Sequence, residues 1–268
     1  MFYPFSGPDF LYVNAFFPEA RQYVLVGLES AGRLPALDPV EAPRRARYLA
    51  RTRAWLSTSL ECSFFRTRDM QTELKEEGVL PLLLVFLARA GGTVEDITPV
   101  QVDSRGRVVP RGQGPSAVAG VRIDYTTGGE KRSLLYFKAD LSNEGMGLRP
   151  GFRRYLASLE APLTYLKAAS YLLHYPHFSL TRKAILTHSK AVLQDDSGIP
   201  YHFFVEAGWQ VQIYGHYTAP IALFSERYQA DLRQAYLSGR ARPLGFGIGY
   251  HIQEKDSNLL LARRPPNR

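Results

Sequence analysis

The sequence holds a single cysteine, Cys62, so an intrachain disulfide and a cysteine-rich metal site are both excluded. A chain without a disulfide fits a reducing and an oxidising compartment equally well. No stretch approaches the roughly 18 apolar residues that a bilayer-spanning helix needs; the run Val79 to Ala88 is too short and reads as a buried helix. No signal peptide opens the sequence, which leads to the expectation of a cytoplasmic protein, or of an exported one if a leader was removed before the apolar strand at Phe2. Several signatures are missing as well. There is no Gly-x-Ser-x-Gly nucleophile elbow, no phosphate loop ending in Gly-Lys-Ser/Thr, no His-Glu-x-x-His and no Cys-x-x-Cys pair. Neither a repeat at solenoid spacing nor a low-complexity tract interrupts the chain.

What the sequence does have is length and positive charge. Its 268 residues suffice for one α/β domain, 1–268, carrying an insertion. Lysine and arginine outnumber the acids 33 to 25, a formal charge of +8. That excess leaves an anionic partner open, although dispersed basic residues also serve solubility. Nucleic acid is not favoured. Arg44, Arg47 and Arg51 form a stripe that suits oxyanions, but charged faces opposite an apolar stripe are usually solvated, and Tyr48 and Trp55 belong to the apolar side. Oligomeric state is not legible.

Periodicity lays out the elements. A strand at Phe2 to Phe5 is followed by the turn Ser6-Gly7-Pro8, and Asp9 caps a short helix, Phe10 to Phe17, that Pro18 stops. Gln22 to Leu28 is a strand rich in branched and aromatic residues, ending on Glu29. Helical patterns cover Pro39 to Leu60, Met70 to Glu77 and Val79 to Ala90, the last stopped by Gly91-Gly92. Strands are predicted at Ile97 to Val102, Arg107 to Val109, Ala119 to Tyr125 and Ser133 to Phe137, with a β-hairpin insertion over 103–132. Helices are expected at Pro150 to Leu159, Pro162 to Leu173, Leu180 to Ser189 and Tyr228 to Leu237, and strands at Ala191 to Gln194, Trp209 to Tyr214, Gly245 to Ile252 and Asn258 to Ala262. The fold class predicted is α/β, a Rossmann-like three-layer sandwich with a mostly parallel sheet, a β-rich insertion and an antiparallel C-terminal strand pair.

The informative pattern is where the acids fall. Asp9, Glu29, Asp140 and the pair Asp195-Asp196 each stand just past a predicted strand. In an open parallel sheet those carboxyl ends line one crevice, where ligands bind. Turn chemistry alone also puts acids there, because Asp, Ser, Asn and Gly are good cap and loop formers. His174 and His177 have the spacing of two metal ligands, yet no third ligand is evident and ordinary helix-end histidines explain them. In Gly245-Phe246-Gly247-Ile248-Gly249-Tyr250 one face of the predicted strand carries no side chains, so a backbone or flat ligand can approach it.

The order Tyr3-Pro4-Phe5-Ser6-Gly7-Pro8-Asp9, short helix, Tyr23-Val24-Leu25-Val26-Gly27-Leu28-Glu29 resembles the first β-α-β unit of Rossmann-like methyltransferases that use S-adenosylmethionine. The strands at Trp209 to Tyr214 and Asn258 to Ala262 are similar to the antiparallel pair that ends this fold, and the chain as a whole resembles a family of uncharacterised bacterial proteins. The likeness covers both ends of the chain but not its middle. It implies S-adenosylmethionine as cofactor, held by Ser6, Gly7, Asp9 and Glu29, with Glu29 accepting the ribose hydroxyls. Asp195, Asp196 and Asp140 would then serve catalysis on an unknown small-molecule acceptor. The turn holds one glycine where these enzymes carry two or three, and Pro8 lacks a backbone donor. Asp140-Leu141-Ser142-Asn143 also differs from the Asn/Asp-Pro-Pro-aromatic motif of amino-group methylation. Two alternatives stay open. One is a hydrolase in which Asp9, Asp140, Asp195 and Asp196 hold Mg²⁺; the other is a non-catalytic binding protein on the same fold.

Overall fold

In strand after strand, neighbouring residues are buried on opposite sides. Val24 and Val26 join one apolar core and Tyr23 and Leu25 another; Leu135 and Phe137 divide from Leu134 and Tyr136 in the same way. This two-sided burial is what a central sheet covered on both faces requires. The computed structural model describes residues 1–33, scattered positions between 43 and 57, and residues 78–112, 118–169, 171–252 and 256–265. Most of the expected helix Pro39 to Leu60, the stretch Met70 to Glu77, Cys62, Tyr48, Trp55, Arg44 and Arg51 lie outside the described residues.

Among the described residues the strands are β1 (Phe2–Tyr3), β2 (Gln22–Gly27), β3 (Thr93–Val102), β4 (Val108–Pro110), β5 (Val118–Thr127), β6 (Glu130–Lys138), β7 (Leu163–Leu166), β8 (Ala191–Gln194), β9 (Gln210–Gly215) and β10 (Asn258–Arg263). They form one ten-stranded mixed sheet in the order β4-β3-β5-β6-β2-β1-β7-β8-β10-β9. Four pairings, β6-β2, β2-β1, β1-β7 and β7-β8, are parallel and the other five antiparallel, so the expectation of a mostly parallel sheet holds only for its centre. Helices α1 (Phe10–Phe16) and α2 (Leu80–Arg89) cover one face. The other is covered by α3 (Asn143–Leu148), α4 (Pro150–Ser158), α5 (Ser179–His188), α6 (Tyr201–Glu206) and α7 (Ala230–Leu237).

Two predicted elements are replaced. Pro162 to Leu173 is not a helix: its first half is strand β7, wedged between β1 and β8, and Leu172–His174 is a single 3-10 turn. A four-residue strand buried on both faces has no period-two alternation, so its apolar run cannot be told from a buried helix. Lys167, which a helix here would set on its polar face, is buried in the loop after β7. Gly245 to Ile252 is likewise not a strand but a loop ending in the 3-10 turn Gly249–His251. There Gly249, at φ +65°, lies so close over the Asp195 carboxylate that no side chain fits between them.

The parallel centre fixes where the ligand edge lies. From β1 the chain runs outward through β2 to β6, then crosses to β7 and β8 on the other side, so the strand order reverses between β1 and β7. A buried ion pair ties the loops beyond those two strands: Lys167 Nζ stands 2.7 Å from Asp9 Oδ2 and 3.2 Å from the centroid of the Tyr12 ring. Tyr3 Oη donates to the same Asp9 oxygen at 3.0 Å, while Asp9 Oδ1 caps α1 by accepting from Tyr12 N. Removing one partner of such a pair strands a charge in the interior. Lys167→Met is therefore expected to lower unfolding free energy by about 3–5 kcal/mol, and the double variant Lys167→Met/Asp9→Asn to recover most of that loss, read by urea denaturation.

Candidate functional site

The turn after β1 is held flat against β2 by one hydroxyl. Ser6 N donates to Val26 O at 2.9 Å, and Ser6 Oγ accepts from Val26 N at 3.1 Å. This brings the Gly7 Cα so near the end of β2 that a Cβ placed on Gly27 would stand 3.1 Å from it, 2.5 Å from Tyr136 Oη and 2.6 Å from Glu29 Oε2. Glycine is thus required at Gly27 by contact, and suits Gly7 by its φ of +51°. Further along the turn, Asp9 N donates to Ser6 O and Phe10 N to Pro8 O. With Pro8 lacking a donor as well, this turn offers a ligand little of the row of free amides that cradles a phosphate.

A pocket of about 610 Å³, its mouth included, opens between the loops after β1, β2, β6 and β7. Phe5 and Gly7 come from the first, Gly27 and Glu29 from the second, Asp140 from the third, and Ala168 from the fourth. Leu141, Leu172 and Phe178 supply apolar wall. Among the described residues no lysine or arginine lines it, and the charged side chains that do are two carboxylates in apolar surroundings. Glu29 is 5% exposed and is held by Tyr136, whose hydroxyl reaches its backbone carbonyl at 3.0 Å and Oε2 at 3.3 Å. Burial, then the Glu29 charge, pushes the Tyr136 phenol well above its ordinary value, which keeps it a donor. Asp140 is exposed and turned toward the start of α3, accepting from Ser142 N at 2.8 Å and Ser142 Oγ at 2.9 Å.

Three residues with side chains adopt left-handed backbone at this edge: Phe5 (φ 58°), Ala168 (φ 47°) and Tyr171 (φ 56°). Such conformations cost of order 1–3 kcal/mol each and persist only where surrounding bonds impose them. After β7 the imposing groups come from β8. Ala168 N donates to Asp195 Oδ2 at 3.0 Å, Ala169 N to Ser197 Oγ at 2.9 Å, and Tyr171 Oη to Asp196 Oδ2 at 2.6 Å. Asp195 Oδ1 in turn accepts from both N and Oγ of Ser197, and Asp196 Oδ1 from Asn258 Nδ2 at 3.0 Å. Burial is the main reason the Asp195 carboxyl rises to about 6, with the Asp196 charge next; Asp196 is raised by burial and restrained by Tyr171 and Asn258.

Of the predicted site residues, Gly7, Glu29 and Asp140 line the pocket. Ser6 and Asp9 stand behind the turn as its fastenings, and Asp195 and Asp196 lie beneath the loop after β7 with their oxygens engaged by internal donors. Lys167, Tyr136, Tyr171 and Asn258 were not singled out as parts of one edge. Only Lys167 carried a signal, a charge set in an apolar run; a tyrosine within a strand looks the same whether it packs or donates. Among the described residues, no three of His, Cys, Asp and Glu are grouped to hold a metal ion, and no helix is long and apolar enough to cross a membrane.

The raised Asp195 carboxyl has a consequence for pH. A carboxyl that binds its proton more tightly in the folded chain contributes stability that is full below its unfolded value, near 4, and is lost as pH rises through about 6. The difference in unfolding free energy between the wild type and Asp195→Asn is thus expected to shrink from pH 4 to pH 7, by denaturant titration at each pH, whereas the buried His174 acts in the opposite sense in both proteins and cancels in the difference. Comparison of the chain with protein-family models, with curated proteins and with solved structures found no match.

Proposed function

We propose that the pocket binds the nucleoside half of S-adenosylmethionine and that the protein is a methyltransferase-like enzyme on a Rossmann-like three-layer fold. One observation carries this reading: a buried glutamate ends the strand next to β1, and it lines a pocket at the point where the strand order reverses. The antiparallel insertion of β10 between β8 and β9 supports it, because a final antiparallel pair separates such methyltransferases from dinucleotide-binding relatives. Two carboxylates among the described lining residues, Glu29 and Asp140, favour a ligand that offers hydroxyl donors over one that brings phosphates.

In this reading each residue has a definite task. The Glu29 carboxylate, oriented by Tyr136, accepts from the two ribose hydroxyls; Gly27 and Gly7 leave room for the sugar to lie against backbone. Phe5, Leu172 and Phe178 exclude water from the reacting end, and Asp140 lies at the β6 side of the pocket, open to a donor on the base or the acceptor. Asp195 acts through the loop it holds, keeping Ala168 in place as wall. The cofactor itself supplies an electrophilic methyl group to the acceptor.

Calorimetric titration with S-adenosylhomocysteine tests the proposal. Saturable heat is expected, with affinity reduced at least tenfold, about 1.4 kcal/mol, in Glu29→Gln and reduced less in Tyr136→Phe. Absence of heat with well-folded protein contradicts it.

A further inference from the structure

Behind the pocket wall lies a second concavity. The turns Leu172–His174 and Pro176–Phe178 separate the pocket from an open groove of about 1280 Å³, its mouth included, bounded by the beginnings of α5, α6 and α7 and the turn Ala222–Arg227. Two arginines line it, each laid over an aromatic ring: Arg182 Cζ is 4.2 Å from the Phe203 centroid and Arg227 Cζ 3.8 Å from that of Tyr175. A guanidinium seated over a ring keeps its charge and its remaining N–H donors, the fork that can grip a planar or tetrahedral oxyanion through two parallel bonds.

Arg182 is the telling residue. It hydrogen bonds through Nη1 to the carbonyls of Leu173 and Tyr175, and no carboxylate among the described residues pairs with it. Its Nε and Nη2 are left for something else. Arg227 pairs with Glu226 at 2.9 Å, but the Glu226 side chain is 68% exposed, so this ion pair contributes little and yields readily to a competing anion. Asp231 is the other acid on the lining. His174 adds no charge, since burial, and then the two arginines against its backbone partners, pushes its imidazole down to about 4. Flat apolar surface is present too: the His202 and Phe203 rings lie 4.1 Å apart, and Tyr228 is half exposed.

We infer that this groove is a binding site for a small aromatic oxyanion, a carboxylate or phosphate held by Arg182 and Arg227 with its ring against the exposed His202 and Tyr228. The site stands apart from the nucleoside pocket and does not depend on what that pocket holds.

Phenyl phosphate titrated into ¹⁵N-labelled protein tests it. The amides of Ser179, His202, Phe203, Ala230 and Asp231 are expected to shift together and saturate with a Kd on the order of 1 mM. Arg182→Gln and Arg227→Gln should each weaken binding at least tenfold, and the exposed control Arg153→Gln should leave it unchanged. If Arg182→Gln perturbs the spectrum broadly because its carbonyl bonds are lost, Arg227→Gln decides alone. Benzoate run in parallel distinguishes the two oxyanions, the tighter probe naming the group. No saturable shift with either probe, or equal binding in Arg227→Gln, overturns the site. Inorganic phosphate binding as well as phenyl phosphate overturns the part assigned to the rings. A failed S-adenosylhomocysteine titration with this one intact would leave the groove standing and remove only the methyltransferase reading.

Discussion

A lysine and an aspartate buried together where the strand order reverses are the fastening on which the rest of this ligand edge depends. The two loops that diverge from β1 and β7 have no other charged tie between them among the described residues. Burial pushes the Lys167 amine down while Asp9 beside it holds it up, and the Tyr12 ring and the Tyr3 hydroxyl complete the enclosure. Such a pair adds little net stability compared with apolar packing, but it is intolerant of alternatives: only one pairing of the loops leaves no buried charge exposed to hydrocarbon. Its role is to specify the geometry of the turn after β1, including the strained Phe5 that lines the pocket.

The same logic repeats one strand over. Asp195, Asp196 and Ser197 follow β8, and their side chains take up the amides of Ala168 and Ala169 and the hydroxyl of Tyr171 in the neighbouring loop. Acids beyond strand ends therefore play two different parts in this protein. Glu29 and Asp140 face the pocket, whereas Asp9, Asp195 and Asp196 shape the loops that enclose it. A preorganised pocket is the product, with its wall conformations imposed before any ligand arrives. The wall after β7 also has two sides, so the turns that close this pocket also bound the arginine-lined groove behind it.

Much of this was legible in the sequence wherever local chemistry and position agreed. Gln22 to Gly27 reads as a strand by its branched residues, Asp9 as a cap by its place before Phe10, and the strand-end acids share one edge of the sheet because parallel strands put them there. Reading failed where burial was complete or where the decisive partner was far away in sequence. Leu163–Leu166, apolar on both faces, has no periodicity to separate strand from helix, and nothing local to Lys167 beside it points to Asp9, its distant partner. Gly249 looked like part of a strand with a bare face; it is bare because Asp195, 54 positions earlier, occupies the space. Tyr136 meets Glu29 across 107 residues, a contact no local pattern encodes.

In the proposed reading, the pocket between the β1, β2, β6 and β7 loops holds a nucleoside through Glu29. A crystal structure of the protein grown with saturating S-adenosylhomocysteine tests it most directly. The ribose hydroxyls are expected within hydrogen-bond distance of the Glu29 carboxylate, with the sugar over Gly27 and the β1 turn unmoved. Density for the ligand elsewhere, or a ribose with no hydrogen bond to the Glu29 carboxylate, would contradict it.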